Sequence, residues 1–170
     1  DVARSGDGNG RDADARDAGD FVTPAESSTL GCSARDSSWH GSHVAGTIGA
    51  NANSIGVTGV DWNTKILPLR TLGKCGGYAS DTNDAIRWAA GLAVSGVPAN
   101  PNPAKIINMS LGGTAACDSE RQGAITAAIG AGAAVIVAAG NSNTNASGHR
   151  PANCAGVLAV AATGQTGNKA

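Results

Sequence analysis

Apolar residues along this chain fall into short runs, and the runs follow two different patterns. "KIINMSL" (105–111), "AVIVAAG" (134–140) and "GVLAVAAT" (156–163) are nearly unbroken apolar stretches of strand length that end in Gly or polar residues. "KILPLRTL" (65–72) has a similar character and predicts a further strand. Between the runs the apolar spacing becomes helical. "SDTNDAIRWAAGLAVSG" (80–96) opens on a Ser or Asp cap and closes on Gly, and "DSERQGAITAAIGAG" (118–132) is a second capped helix. "HGSHVAGTIGA" (40–50) reads as a helix of small residues, with Ser37 or Ser38 able to cap its first amides. Continuous apolar strands alternating with helices predict an α/β fold of three layers, a mostly parallel sheet with helices on both faces. Residues 1–38 show neither period and read as a loop region, leaving 39–170 for the α/β core of a single domain.

Composition narrows the function classes. With Gly at 25 positions and aromatics at 3%, the core must be built from small and branched side chains at close backbone approach. The net charge is -1 and no basic stripe or aromatic platform appears, so neither nucleic acid nor an anionic membrane is an expected partner. No apolar run reaches the length of a membrane span, and any secretion leader is expected to have been removed. Cys32, Cys75, Cys117 and Cys154 are far apart, with no C-x-x-C pair, which disfavours zinc knuckles and redox motifs. Their even number fits two disulfides, with three pairings open and four reduced core thiols as the alternative.

In open α/β sheets, sites gather at the carboxyl ends of strands, here "NMSLGG" (108–113) and "AAGNSN" (138–143). His40 and His43 lie on roughly one helical face, so a shared metal is geometrically allowed, but no acidic residue stands between them as a zinc-protease helix requires. His40 falls at the helix amino end, whose positive dipole disfavours imidazolium and suits a proton acceptor. His149 in "ASGHRPAN" reads as a loop histidine. Asp7, Asn9, Asp12, Asp14, Asp17 and Asp20 share a Gly-rich segment whose hard oxygens suit Ca²⁺, or which is simply a soluble surface loop.

The ordered motifs "HGSHVAGTI" (40–48), "NMSLGG" (108–113) and "AAGN" (138–141) resemble those of the subtilisin-like serine proteases over residues 37–163. "GDGNGRDADARDAGD" (6–20) is similar to the long acidic loop that secreted bacterial members carry before the histidine motif. The resemblance implies a secreted serine endopeptidase acting on polypeptides. In it His40 is the general base, Asn141 an oxyanion donor, Ser110, Leu111 and Gly112 the pocket for the side chain before the cut bond, and Cys75, Gly76 and Gly77 the segment that pairs with extended substrate. It also implies structural calcium, with Asp7, Asn9, Asp12, Asp14 and Asp20 as ligands, and the pairings Cys32–Cys75 and Cys117–Cys154, each worth about 3 to 4 kcal/mol by loop closure. No D-S-G or D-T-G turn and no G-T-S-M-A element occurs. The expectation is therefore a central, incomplete part of a catalytic domain. The triad Asp and Ser would come from further segments of the same protease, and the isolated piece would be inactive. The alternative is a non-catalytic scaffold of the same fold.

Overall fold

The computed structural model describes residues 2–169. The chain divides into two compact units, 1–81 and 82–170.

The first unit contains α1 (Val2–Ser5), α2 (Pro24–Leu30) and α3 (His40–Gly49). Helix α2 lies inside the segment that periodicity assigns to loop. Its signal is chemical: Thr23 caps the helix and accepts from the Glu26 amide, the Glu26 carboxylate takes the Thr23 amide at 3.0 Å, Pro24 opens the first turn, and Gly31 closes it at φ 73. Seven residues are too few for an apolar stripe, so the caps carry the helix.

This unit has a small apolar interior, in which Val22, bridged to Arg35, is buried at 2% exposure. Polar ties do the rest. The Cys32–Cys75 disulfide joins the end of α2 to the 73–77 turn. Arg70 donates to the carbonyls of Ser5 and Gly19. The expected strand at 65–72 is not formed: among the described residues these positions make no backbone–backbone hydrogen bond. A strand exists only through a neighbour, Pro68 removes one donor, and Ile66, Leu69 and Leu72 stay exposed.

Glu26 gives the unit a calculable response to acid. A hydrogen bond from Lys74, then the Thr23 amide and hydroxyl, lower its carboxyl from 4.5 to about 2. Between those values the unfolded chain binds the extra proton, so the contribution is complete above pH 4.5 and disappears as pH falls toward 2. Glu26→Gln is expected to lower the urea midpoint at about pH 6 and to match the parent near pH 2, in paired unfolding curves.

The second unit opens in α4 (Ala79–Ala89), which begins at the end of the first, and continues through β1 (Ile106–Met109), β2 (Gly113–Thr114), α5 (Ser119–Gly130), β3 (Ala134–Ala138), β4 (His149–Arg150) and β5 (Leu158–Val160). Strands β1, β3 and β5 form a parallel sheet in that order, with Ile106 opposite Ala134 and Ile136 opposite Leu158. This is the expected α/β class with a mostly parallel sheet. Along β1 and β3, Ile107, Met109, Val135 and Val137 are buried, while Ile106 on the other face is 67% exposed. The buried face packs in one cluster with Ile86 and Ala89 of α4 and with Ala124, Ile125 and Ala128 of α5.

Helix α4 is shorter than its pattern suggests. Gly91, at φ 82, ends it well before Gly96, and a Cβ there would meet Pro103 at 2.8 Å. Helix α5 starts where expected, with Asp118 accepting from the Arg121 amide at 2.8 Å. That bond leads the causes that hold the Asp118 carboxyl below its usual value, with Arg150 adding to it. The short β2–β4 ladder, joining Gly113 to Arg150 and Thr114 to His149, is not visible in the sequence pattern. The Cys117–Cys154 disulfide fastens the segment before α5 to the segment before β5, so both expected pairings are present. Among the described residues no helix is long and apolar enough to cross a membrane.

Candidate active site

His40 is the first residue of α3, and its exposed ring has no hydrogen-bond partner among the described residues. The turn before it is tightly specified. Trp39 takes φ 50, a left-handed conformation that a bulky residue adopts only when its surroundings impose it. The expected serine cap is not formed: Trp39 holds the cap position without a side-chain cap bond, and the Ser38 hydroxyl accepts from the His40 amide, at 3.4 Å. The Ser38 amide in turn donates to Asp20 at 2.6 Å, and the other Asp20 oxygen receives Arg35 at 2.9 Å. Partial burial raises the Asp20 carboxyl, but the amide and hydroxyl of Ser38 and the charge of Arg35 outweigh it and hold the group below its usual value. Asp17 reaches α3 through the Ser42 hydroxyl at 2.9 Å. Two carboxylates of the acidic loop thus fix the entry to α3. His43 lies one turn on, exposed, with its carbonyl accepting from Thr47 at 3.0 Å.

The rest of that loop does not form a cation cage. Asp7, Asp12, Asp14 and Asp17 each turn one oxygen onto the backbone amide two residues on, at 2.6 to 3.2 Å. The amide of Asn9 is the one taken by Asp7. Arg70 stands 3.8 Å from Asp7, and Arg16 3.8 Å from Asp14. Among the described residues no three His, Cys, Asp or Glu side chains converge as metal ligands, so the carboxylates of the folded loop form no ready-made cluster for a Ca²⁺ ion, which takes about six to eight oxygens. It equally leaves His40 and His43 without a third ligand for a shared metal.

The segment 73–77 is a turn. Gly73 and Gly76 exchange both backbone hydrogen bonds, at 3.0 and 3.1 Å, and Cys75 between them sits at φ 61. Gly76 was expected to offer its backbone to substrate, but its amide and carbonyl are committed to Gly73. The Cys75 carbonyl accepts from the Arg4 guanidinium at 3.3 Å, which leaves the Cys75 amide and the exposed Gly77. Only Gly fits at 77, since a Cβ would meet the Thr71 carbonyl oxygen at 2.1 Å.

In the second unit the two strand tips carry the expected residues. Ser110 follows β1 and its hydroxyl accepts from the Asn108 carboxamide at 3.0 Å. Leu111 is half-buried against the core, and at Gly112 a Cβ would meet the Arg150 carbonyl oxygen at 2.7 Å. Asn141 follows β3 after Gly140, at φ 101, and its exposed carboxamide has no partner among the described residues. His149 is more than a loop histidine. Its Nε2 lies 2.8 Å from the Thr144 hydroxyl, its Nδ1 3.4 Å from that of Thr114, and its ring 3.7 Å from where a Gly140 Cβ would be. It therefore links β2 to the loop that follows β3, a position set by the β2–β4 ladder and beyond the reach of local sequence.

A free imidazole on a stiffened helix start can accept a proton, and an uncommitted carboxamide at a strand tip can donate to a developing oxyanion. The subtilase family profile matches residues 5–170. The chain is 53% identical to an extracellular protease of Xanthomonas campestris, over 100% of this chain and 29% of that protein. It is 45% identical to an extracellular basic protease of Dichelobacter nodosus, over 96% and 28%. A solved protease structure from Pseudoalteromonas arctica superposes with a TM-score of 0.94 at 51% identity, covering 100% of this chain and 50% of that one. The chain thus spans less than a third of the length of these two curated relatives.

Proposed function

The chain belongs to the subtilase family, and on that premise we propose that it forms part of a secreted serine endopeptidase. His40 acts as the general base toward a serine hydroxyl, and Asn141 donates to the tetrahedral oxyanion. Ser110, Leu111 and Gly112 receive the side chain before the scissile bond, while Cys75 and Gly77 accompany the extended backbone. The serine and the carboxylate that orients His40 come from segments outside these 170 residues. The observation that carries the reading is the uncommitted His40 ring at the start of α3, inside "HGSHVAGTI". Incubating the intact protein with an unfolded polypeptide and mapping the new termini tests it. Internal cuts that stop with a serine-directed sulfonyl fluoride support the reading. No cuts, or cuts stopped only by a zinc chelator, contradict it.

A narrower proposal concerns the acidic loop, where five Asp and Asn9 within residues 7–20 favour a hard cation such as calcium. Asp20 is held by Ser38 and Arg35, which leaves Asp7, Asn9, Asp12 and Asp14 as the candidates, and their turns must open to gather an ion. Calcium is expected to raise the melting temperature of the chelator-treated intact protein, and Asp12→Asn with Asp14→Asn to remove that rise. An equal rise in the double variant would move the ion elsewhere.

A further inference from the structure

Lys74 is a charged residue that the proposed chemistry leaves unused, and it is almost completely buried, at 6% exposure. Its ammonium donates to Glu26 in the first turn of α2 and stands 4.2 Å from the centre of the Phe21 ring. Its backbone amide donates to the Arg4 carbonyl at 2.8 Å. One residue is thereby tied to α1, to α2 and to the chain just before α2. An apolar side chain of similar length would cover the same neighbours without desolvating a charge, so bulk alone does not account for a lysine here. What the ammonium adds is a charge-assisted hydrogen bond that burial makes costly to break, since a buried charge parted from its carboxylate partner is left unpaired.

The turn needs such an anchor. The preceding residues 65–72 have no ladder to hold them, and the Gly73–Gly76 bonds fix the turn's shape without fixing its place. The Cys32–Cys75 disulfide tethers the turn to the end of α2, and the Lys74 amide on the Arg4 carbonyl together with the Arg4 guanidinium on the Cys75 carbonyl, at 3.3 Å, ties it to α1. The ion pair of Lys74 with Glu26 adds a side-chain tie to the first turn of α2. Glu26 remains ionised well into acid, its carboxyl lowered to about 2, so moderate acidity does not break the tie.

We infer that Lys74 is a positioning residue for substrate binding: its ion pair with Glu26 sets where Cys75 and Gly77 present their backbone to an extended polypeptide. The inference rests on the reading of 75–77 as the substrate-pairing segment. It makes Lys74 act on the length of substrate recognised and not on bond cleavage.

The test uses the intact protein with Lys74→Met, which keeps the stem and loses the charge, and Lys74→Arg, which keeps the charge. Substrates are a blocked tetrapeptide nitroanilide and a blocked single-residue ester with the same side chain before the cut bond. Lys74→Met should lower kcat/KM on the tetrapeptide about tenfold more than on the ester, mainly through KM, and Lys74→Arg should recover most of it. Equal losses on both substrates would overturn the inference, as would a tetrapeptide KM that does not change. Amide exchange at Gly73 and Gly76 gives a reading independent of activity. Faster exchange in Lys74→Met, restored in Lys74→Arg, supports the anchor, and unchanged exchange removes it. If the parent protein cleaves neither substrate, the catalytic reading fails, and the exchange data alone decide whether Lys74 holds the turn.

Discussion

Replacing His40 by alanine in the intact protein is expected to lower kcat for peptide hydrolysis by on the order of 10⁴-fold or more, with KM changing less than about threefold. A serine hydroxyl is a poor nucleophile at neutral pH until a positioned base takes its proton, and of the two histidines of α3 His40 stands at the amino end while His43 lies one turn further in. Asp17 and Asp20 are engaged by Ser42, Ser38 and Arg35. Because the His40 ring is exposed and makes no hydrogen bond among the described residues, its removal should barely change the melting temperature. Loss of activity without loss of fold is therefore the outcome to look for. Steady-state kinetics beside a thermal melt reads both.

Asn141→Ala should cost about 100- to 1000-fold in kcat with little change in KM, because the carboxamide donates to an oxygen that bears charge only in the transition state. That magnitude was obtained on subtilisin itself and is therefore a family value. The structural basis here is local. Gly140 at φ 101 turns the chain sharply at the tip of β3 and leaves Asn141 exposed, with its carboxamide uncommitted. Asn141→Asp should be no better than alanine, since a carboxylate accepts where a donor is needed. Single-turnover measurements on an ester and an amide of the same residue would separate this loss from one in binding.

The parts of the fold that could be read from sequence are those whose information is local. Strands β1 and β3 appear as apolar runs because the residues of one face are buried in the core and those of the other are largely apolar too. Helix α5 declares itself through Asp118 and its apolar spacing. Residues 65–72 carry the same strand-like composition, yet composition cannot supply a partner, and without one the segment is extended chain. Helix α2 was hidden for the opposite reason, since it has caps but too few residues to show a period. Gly91 and Gly96 look alike in sequence, and only the packing of Pro103 against Gly91 shows which one ends α4.

The site divides in the same way. His40 and Asn141 are recognisable because motif and element coincide: one opens a helix and the other follows a strand. The commitment of Gly76 to Gly73, and the placing of His149 between Thr114 and Thr144, depend on turn geometry and on a ladder between residues 35 apart in sequence. The acidic loop looked like a ready cation site on composition. In the folded chain its carboxylates are largely spent on their own backbone and on Arg16, Arg35 and Arg70. The disulfide pairing was open among three possibilities until the family resemblance narrowed it, because spacing does not say which loops meet in space.

The most direct test of the central claim, that His40 activates a serine supplied outside these residues, is the rate at which a fluorophosphonate labels the intact protein. One serine should be modified, in a peptide that maps outside this sequence, and His40→Ala should slow labelling by on the order of 10³-fold or more while the protein stays folded. Labelling of Ser110, Ser142 or Ser147, or an unchanged rate in His40→Ala, would contradict it.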